Sequence, residues 1–254
     1  MKLERFDHSF RFAGLTDVGR QRESNQDEVI LAPELGLFAV SDGMGGLDQG
    51  DVAAAFVKEA LPGLVGPMLE NLRGDESPEE VAQMLKDDVT ALSDHLYLQG
   101  NSPTWYRFGA TLSAALLYRN KAIFLWLGDS RGYLLPRRKR TFVQATEDMN
   151  LAALLVKAGE LTREQAARSP ASSQLTAFVG MEPPASPETV ILDVKPGDRL
   201  LLCSDGLYGM VDQKDLRRLM RSSRSPERVC RRLIDRANEN GGRDNISAVY
   251  LKIV

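Results

Sequence analysis

Residues 109–135 read GATLSAALLYRNKAIFLWLGDSRGYLL, and this stretch decides what kind of sheet the chain builds. Its apolar runs, Ala110–Tyr118, Ala122–Leu127 and Gly132–Leu135, have the length and residue types of strands, and Arg119, Asn120 and Lys121 make a hairpin turn between the first two. The pattern is a meander. Upstream, extended runs at Ser9–Val18, Glu28–Ala32 and Leu37–Ser41 are each bounded by Gly, Pro or Asp. Helical spacing follows at Val52–Leu61 and at Pro78–Leu98, where Val81, Met84, Leu85, Val89, Leu92 and Leu96 share a face. Asp75 or Ser77 is placed to cap the second of these helices. Downstream come short helices at Met149–Lys157 and Thr162–Arg168, mobile connections at Ser169–Ser173 and Met181–Pro187, and strands at Val190–Val194 and Arg199–Ser204. Helices at Gln213–Arg221 and Pro226–Asn240 and a last strand, Ile246–Val254, complete the chain. Strand runs interrupted by paired helices, without regular βαβ alternation, predict antiparallel sheets with helices packed outside, an α+β fold.

The chain has 254 residues, 43% of them hydrophobic and 26% charged, which suits one sizeable core and one domain. The opening MKLERFDHSF is charged, and the apolar stretches are expected to be too short to cross a bilayer. Cys203 and Cys230 cannot make a disulfide framework, so reduced thiols and a cytoplasmic location are expected. A formal net charge of -3 argues against a nucleic-acid-binding protein, and no membrane insertion is expected.

One local design recurs. An apolar run ends in an aspartate beside glycine at LFAVSDGMGG (Asp42), IFLWLGDSRG (Asp129) and LLLCSDGLYG (Asp205), and Asp244 precedes the last strand in GGRDN. Any one of these reads as an ordinary turn. Together they can aim carboxylates at one place, and carboxylates gathered that way repel unless cations lie between them. Oxygen ligands without His or Cys suit Mg²⁺ or Mn²⁺, and the histidines, His8 and His95, lie elsewhere.

The stretches TDVGRQRESNQDE, FAVSDGMGG, FGATLSAALL, LWLGDSRGYLL, ATEDMNLAALLVKAGELTREQA, LLLCSDGLYGMV and GGRDNISAVYL, in that order, resemble the bacterial branch of the protein phosphatase 2C superfamily over Gly14–Val254. The resemblance implies a four-layer αββα sandwich, two central antiparallel sheets flanked by helix pairs, over residues 1–254, with a flap at about 149–187. It implies a metal-dependent protein serine/threonine phosphatase that uses two Mn²⁺ or Mg²⁺ ions. Carried over by position, Asp42 bridges the metals, the Gly43 carbonyl joins the second, Asp205 and Asp244 complete the first, and Asp27 acts through water. Asp129 with Asp205 would hold a third, weaker ion, and Arg22 would grip the substrate phosphate with its planar fork of donors. The implied partners are phosphorylated proteins, substrates of a serine/threonine kinase, and the implied state is a monomer. Met44 stands where the animal branch of the family has histidine, a feature that bacterial members share, while Leu47 and Met149 stand where histidine is usual in bacterial relatives and Gln26 replaces a glutamate often found beside Asp27.

Rival readings are weaker. GDSRG fits the nucleophile elbow of serine hydrolases at Ser130, but a strand run follows and no histidine lies downstream. A cysteine phosphatase needs Arg six positions after its nucleophile; Gly209 stands there for Cys203, and Arg236 for Cys230 falls in an amphipathic helix. The basic runs at Arg137–Arg140 and along Arg217–Arg236 read as solvated faces. A pseudophosphatase of the same fold, serving as a binding module, is the remaining alternative.

Overall fold

The computed structural model describes residues 1, 3–45, 50–99, 108–137 and 141–254, and of residue 100 the backbone. Leu47 and residues 138–140 of the basic run lie outside the described residues.

Strands β1 (Phe10–Asp17), β2 (Asp27–Ala32) and β3 (Leu37–Met44) lead into helices α1 (Gly50–Glu70) and α2 (Pro78–Gly100). The meander follows as β4 (Gly109–Ala110), β5 (Leu112–Tyr118), β6 (Lys121–Leu127) and β7 (Arg131–Leu135). Next come β8 (Val143–Gln144), α3 (Leu151–Lys157), α4 (Arg163–Ala166), a 3-10 turn (Pro170–Ser173) and β9 (Glu188–Asp193). The chain closes with β10 (Arg199–Cys203), α5 (Asp205–Tyr208), α6 (Gln213–Leu219), α7 (Pro226–Glu239) and β11 (Ile246–Ile253).

One sheet has the order β1-β11-β10-β7-β8 and the other β2-β3-β5-β6-β9, with β4 paired to β3, and every pairing between named strands is antiparallel. Alternation along the strands explains the layers. On β11, Val249, Leu251 and Ile253 meet Phe38, Val40 and Phe124 of the other sheet, while Ala248 and Tyr250 face Val229, Leu233 and Ile234 of α7. On β5, Ala115 and Leu117 join the layer between the sheets, and Leu112, Ala114 and Leu116 pack beneath α1 and α2. These three apolar layers make the expected α+β sandwich with helices outside.

Three expectations need correction, the extent of α1, the absence of a stretch long and apolar enough to cross a bilayer, and the mobile Ser169–Ser173 connection, while the choice between Asp75 and Ser77 as a cap is decided. Helix α1 runs to Glu70, well past Leu61 and through Pro62 and Pro67. Its stripe of Ala53, Ala54, Val57, Leu61, Val65 and Leu69 is buried against the second sheet, and that burial offsets the ~3 kcal/mol that an interior proline costs a helix. By length and composition α1 is also apolar enough to cross a membrane, contrary to expectation, but its apolar face is committed to the core. Ser77 rather than Asp75 caps α2: its hydroxyl accepts from Glu80 N at 3.2 Å while Glu80 Oε2 accepts from Ser77 N at 2.7 Å. The Ser169–Ser173 connection folds into a 3-10 turn capped by Ser169.

Candidate metal centre

All the singled-out carboxylates lie at one end of the sandwich. Asp27 opens β2, Asp42 lies near the end of β3, Asp129 sits in the β6–β7 turn, Asp205 starts α5 just after β10, and Asp244 stands two residues before β11. With Arg22, Gln26, Gly43, Met44, Thr111, Ser173, Leu175 and Asn245, the last four of these aspartates line a cleft of about 490 Å³.

Local structure aims them. The Asp42 backbone is clamped to Thr111, whose Oγ1 accepts from Asp42 N at 3.1 Å and whose N–H donates to Asp42 O at 2.8 Å. Gly43 is required by close approach: a Cβ there would lie 1.9 Å from Gly50 O and 2.8 Å from Gln26 O. Asp27 Oδ2 accepts from the buried Ser204 hydroxyl at 2.6 Å, and Ser204 Oγ in turn accepts from Ser247 N at 3.0 Å. Asn245 donates to Val18 O and Ser24 O and accepts from Gln26 N, which pins the loop carrying Arg22 against the start of β11. Arg22 Nη2 lies 2.8 Å from Asp244 Oδ2, so both residues reach into the cleft and pair there.

The arrangement is electrostatically unfavourable for the protein alone. Asp27 and Asp42 stand directly opposite each other in the β2–β3 register, a position where like charges destabilise a sheet. Asp27 Oδ1 and Asp205 Oδ1 are buried with no hydrogen-bond partner. Burial first, then mutual repulsion, pushes Asp27 up to about 7, and burial with Asp205 and Asp148 nearby pushes Asp129 up to about 7. Asp205 rises to about 6 through burial and Asp244, and Asp42 is raised well above the carboxylate range by burial and by Asp27, Asp205, Asp129 and Asp244.

Among the described residues no three acidic, histidine or cysteine side chains close tightly enough to enclose one ion by themselves. The carboxylates instead ring the cleft, Asp244 drawn toward Arg22, and the donor set fits hard divalent cations: oxygen only, excess negative charge, and two buried oxygens left unpartnered.

A pH dependence follows. Above about pH 4 the unfolded chain has released protons that the folded cleft retains up to about 6 to 7, so metal-free stability falls as pH rises through that window. Melting curves in EDTA are expected to drop between pH 5 and 7.5, and saturating Mn²⁺ to remove the drop. A melting temperature that climbs with pH in EDTA would contradict the repulsion.

The rival sites dissolve. Ser130 Oγ is buried and 2.7 Å from Thr111 Oγ1, and strand β7 rather than a helix follows it. Cys203 is fully buried with its thiol pushed up by burial, and Cys230 is pushed up to about 12 while donating to Ala13 O at 3.4 Å.

A family model described as protein phosphatase 2C matches residues 19–248. The chain belongs to the protein phosphatase 2C family. Relatives in it include the serine/threonine phosphatase stp of Listeria welshimeri, 31% identical over 241 residues and covering 93% of each chain. Among solved structures of this family, the S. agalactiae serine/threonine phosphatase superimposes with a TM-score of 0.85 at 27% identity, covering 97% of this chain and 100% of that one. The catalytic domain of the serine/threonine protein phosphatase PstP, solved in complex with two manganese ions, gives a TM-score of 0.77 at 30% identity over 96% of this chain and 98% of its own.

Protein phosphatase 2C residues that sequence reasoning passed over are now visible: Thr111, Ser204, Asn245, and the pair Arg131 and Asp148. Asn245 and Ser204 flank aspartates already singled out, and that adjacency was the available signal. Met149 is packed against the core below α1 and α2.

Proposed function

We propose that this chain is a metal-dependent protein serine/threonine phosphatase that hydrolyses phosphoserine and phosphothreonine directly, without a phosphoenzyme. The observation that carries this reading is the cleft lined by Asp42, Asp129, Asp205 and Asp244, with the buried Asp27 opposite Asp42 in register and buried carboxylate oxygens unpartnered. Two Mn²⁺ or Mg²⁺ ions held there supply Lewis acidity, lowering the pKa of water and offsetting charge on the transferring phosphoryl group. Asp42, Asp205 and Asp244 would hold the first ion, Asp42 and the Gly43 carbonyl the second, and Asp27 would act through water. Asp129 with Asp205 is assigned a third, weaker ion. Clamping by Thr111, Ser204 and Asn245 keeps these groups oriented, and the Arg22 guanidinium, in the same cleft, binds two phosphate oxygens and fixes the phosphorus for in-line attack.

The substrates are phosphoproteins made by a serine/threonine kinase, and the enzyme acts as a cytoplasmic monomer, with residues 1–254 as one domain and 149–187 as a flap beside the cleft. Ser173 and Leu175 on the cleft wall and the free thiols of Cys203 and Cys230 support this. A pseudophosphatase is not favoured, because every carboxylate position is filled.

Purified protein with Mn²⁺ is expected to hydrolyse p-nitrophenyl phosphate and a phosphothreonine peptide, with EDTA abolishing both. Intact Mn²⁺ binding without turnover would turn the reading to a binding module. Arg22→Ala is expected to raise KM about tenfold or more, the loss of one charge-assisted phosphate contact, while changing kcat less.

A further inference from the structure

We propose that Arg11, Lys252 and Arg199, at the end of the sandwich away from the aspartate cleft, form a docking site for an acidic segment of the phosphoprotein substrate. This rests on the phosphatase reading and adds where the substrate is held. Arg11 pairs with Lys252 in the β1–β11 register, and Lys252 pairs with Arg199 in the β10–β11 register, so three cations stand in line across adjacent strands. They continue the sheet face that Ala13, Tyr250 and Leu201 present to α7. At strand spacings of about 4.8 Å the line spans about 10 Å. Arg224, just before α7, and Arg137, just after β7, adjoin it, and both are exposed, as is Arg11.

Like charges directly opposite each other cost a sheet stability. Among the described residues none of these five cations has an ion pair. Asp198, the nearby acid, is buried and accepts from the backbone N–H groups of Arg137 and Lys195 at 2.7 and 3.0 Å. Arg199 Nη1 donates to Gly197 O at 3.1 Å, while its Nε is buried without a partner. Lys252 is lowered by burial and then by Arg199, Arg11, Arg224 and Arg137. A compact positive field on a chain of net charge -3 favours a short acidic peptide, whereas a long polyanion would be repelled by the remainder of the molecule.

The distance sets a rule for substrates. From Asp244 to Lys252 the chain rises along β11 by about 25 Å, so an acidic cluster and a phosphoresidue bind together only when about eight or more extended residues separate them.

The test uses phosphothreonine peptides carrying an Asp/Glu cluster behind a Gly/Ser linker of about three or about twenty residues. With the full chain and Mn²⁺, the long-linker peptide is expected to show a KM about tenfold below that of the short-linker peptide at equal kcat. Arg11→Glu with Arg224→Glu, both on the surface, is expected to erase that advantage and to leave p-nitrophenyl phosphate turnover unchanged. Fluorescence anisotropy of the unphosphorylated acidic peptide in EDTA reads docking without catalysis, so failure of turnover would sink the phosphatase reading and failure of binding the docking site. Equal KM values for both peptides, an advantage that survives the double substitution, or a single-stranded oligonucleotide that outcompetes the peptide would each overturn the proposal.

Discussion

Replacing Asp42 with asparagine is expected to make the metal-free protein melt at a higher temperature than the parent while slowing phosphate release at least about a thousandfold. Both effects have one cause. The amide keeps the shape of the side chain, and the clamp on the backbone uses Asp42 N and O with Thr111, so geometry is preserved. What disappears is a carboxyl that burial, and then Asp27, Asp205, Asp129 and Asp244, hold well above the ordinary range, so that without metal it must either ionise against them or take up a proton. Without metal that carboxyl is a cost, and with metal it is a ligand. Paired melting curves in EDTA and calorimetric titration with Mn²⁺ check the two halves together. An Asp42→Asn protein that melts lower in EDTA, or binds Mn²⁺ as tightly as the parent, would show that the cleft is not built around cations.

Arg131→Met is expected to cost about 3–5 kcal/mol, the penalty for leaving a shielded carboxylate unpaired, and to lower the melting temperature by about 10 °C. Arg131 Nε and Nη2 lie 2.8 and 2.6 Å from the two oxygens of Asp148, both side chains being largely shielded at 22% and 16% exposure. The guanidinium carbon sits 3.6 Å from the centre of the Tyr208 ring, and the Tyr208 hydroxyl donates to Asp129 O at 3.0 Å. One guanidinium therefore ties β7, the segment before α3 and α5 together behind Asp129 and Asp205. Weaker Mn²⁺ binding is expected alongside the lost stability. Adding Asp148→Leu to Arg131→Met should recover most of the stability, since no buried charge is then left alone. A single variant melting within about 1 °C of the parent would mean that the pair contributes nothing.

What could be read without coordinates was local in origin. Short continuous apolar runs in β3 and the meander, bounded by Gly, Asp or a turn, identify strands by their length and residue types. Asp42, Asp129 and Asp205 stood out because glycine follows or precedes each aspartate where an apolar run ends. The length of α1 was not readable, because Pro62 and Pro67 argue for a stop and only the core beneath Leu61, Val65 and Leu69 overrides them. Nor were the one-turn helix Asp205–Tyr208 or the two-residue strand Val143–Gln144, which are too short to carry a period.

The aspartates, their positions at or near the ends of strands and the absence of histidine or cysteine among them were determined by the amino-acid order alone, and these point to hard divalent cations. Tertiary structure alone decided that Asp27 faces Asp42, that Arg22 pairs with Asp244 across 222 positions, that Arg131 is matched to Asp148, and that Arg11, Lys252 and Arg199 line up. Each of these depends on strand register or on partners far apart along the chain, and register is set by how the whole apolar pattern is buried rather than by any residue's neighbours.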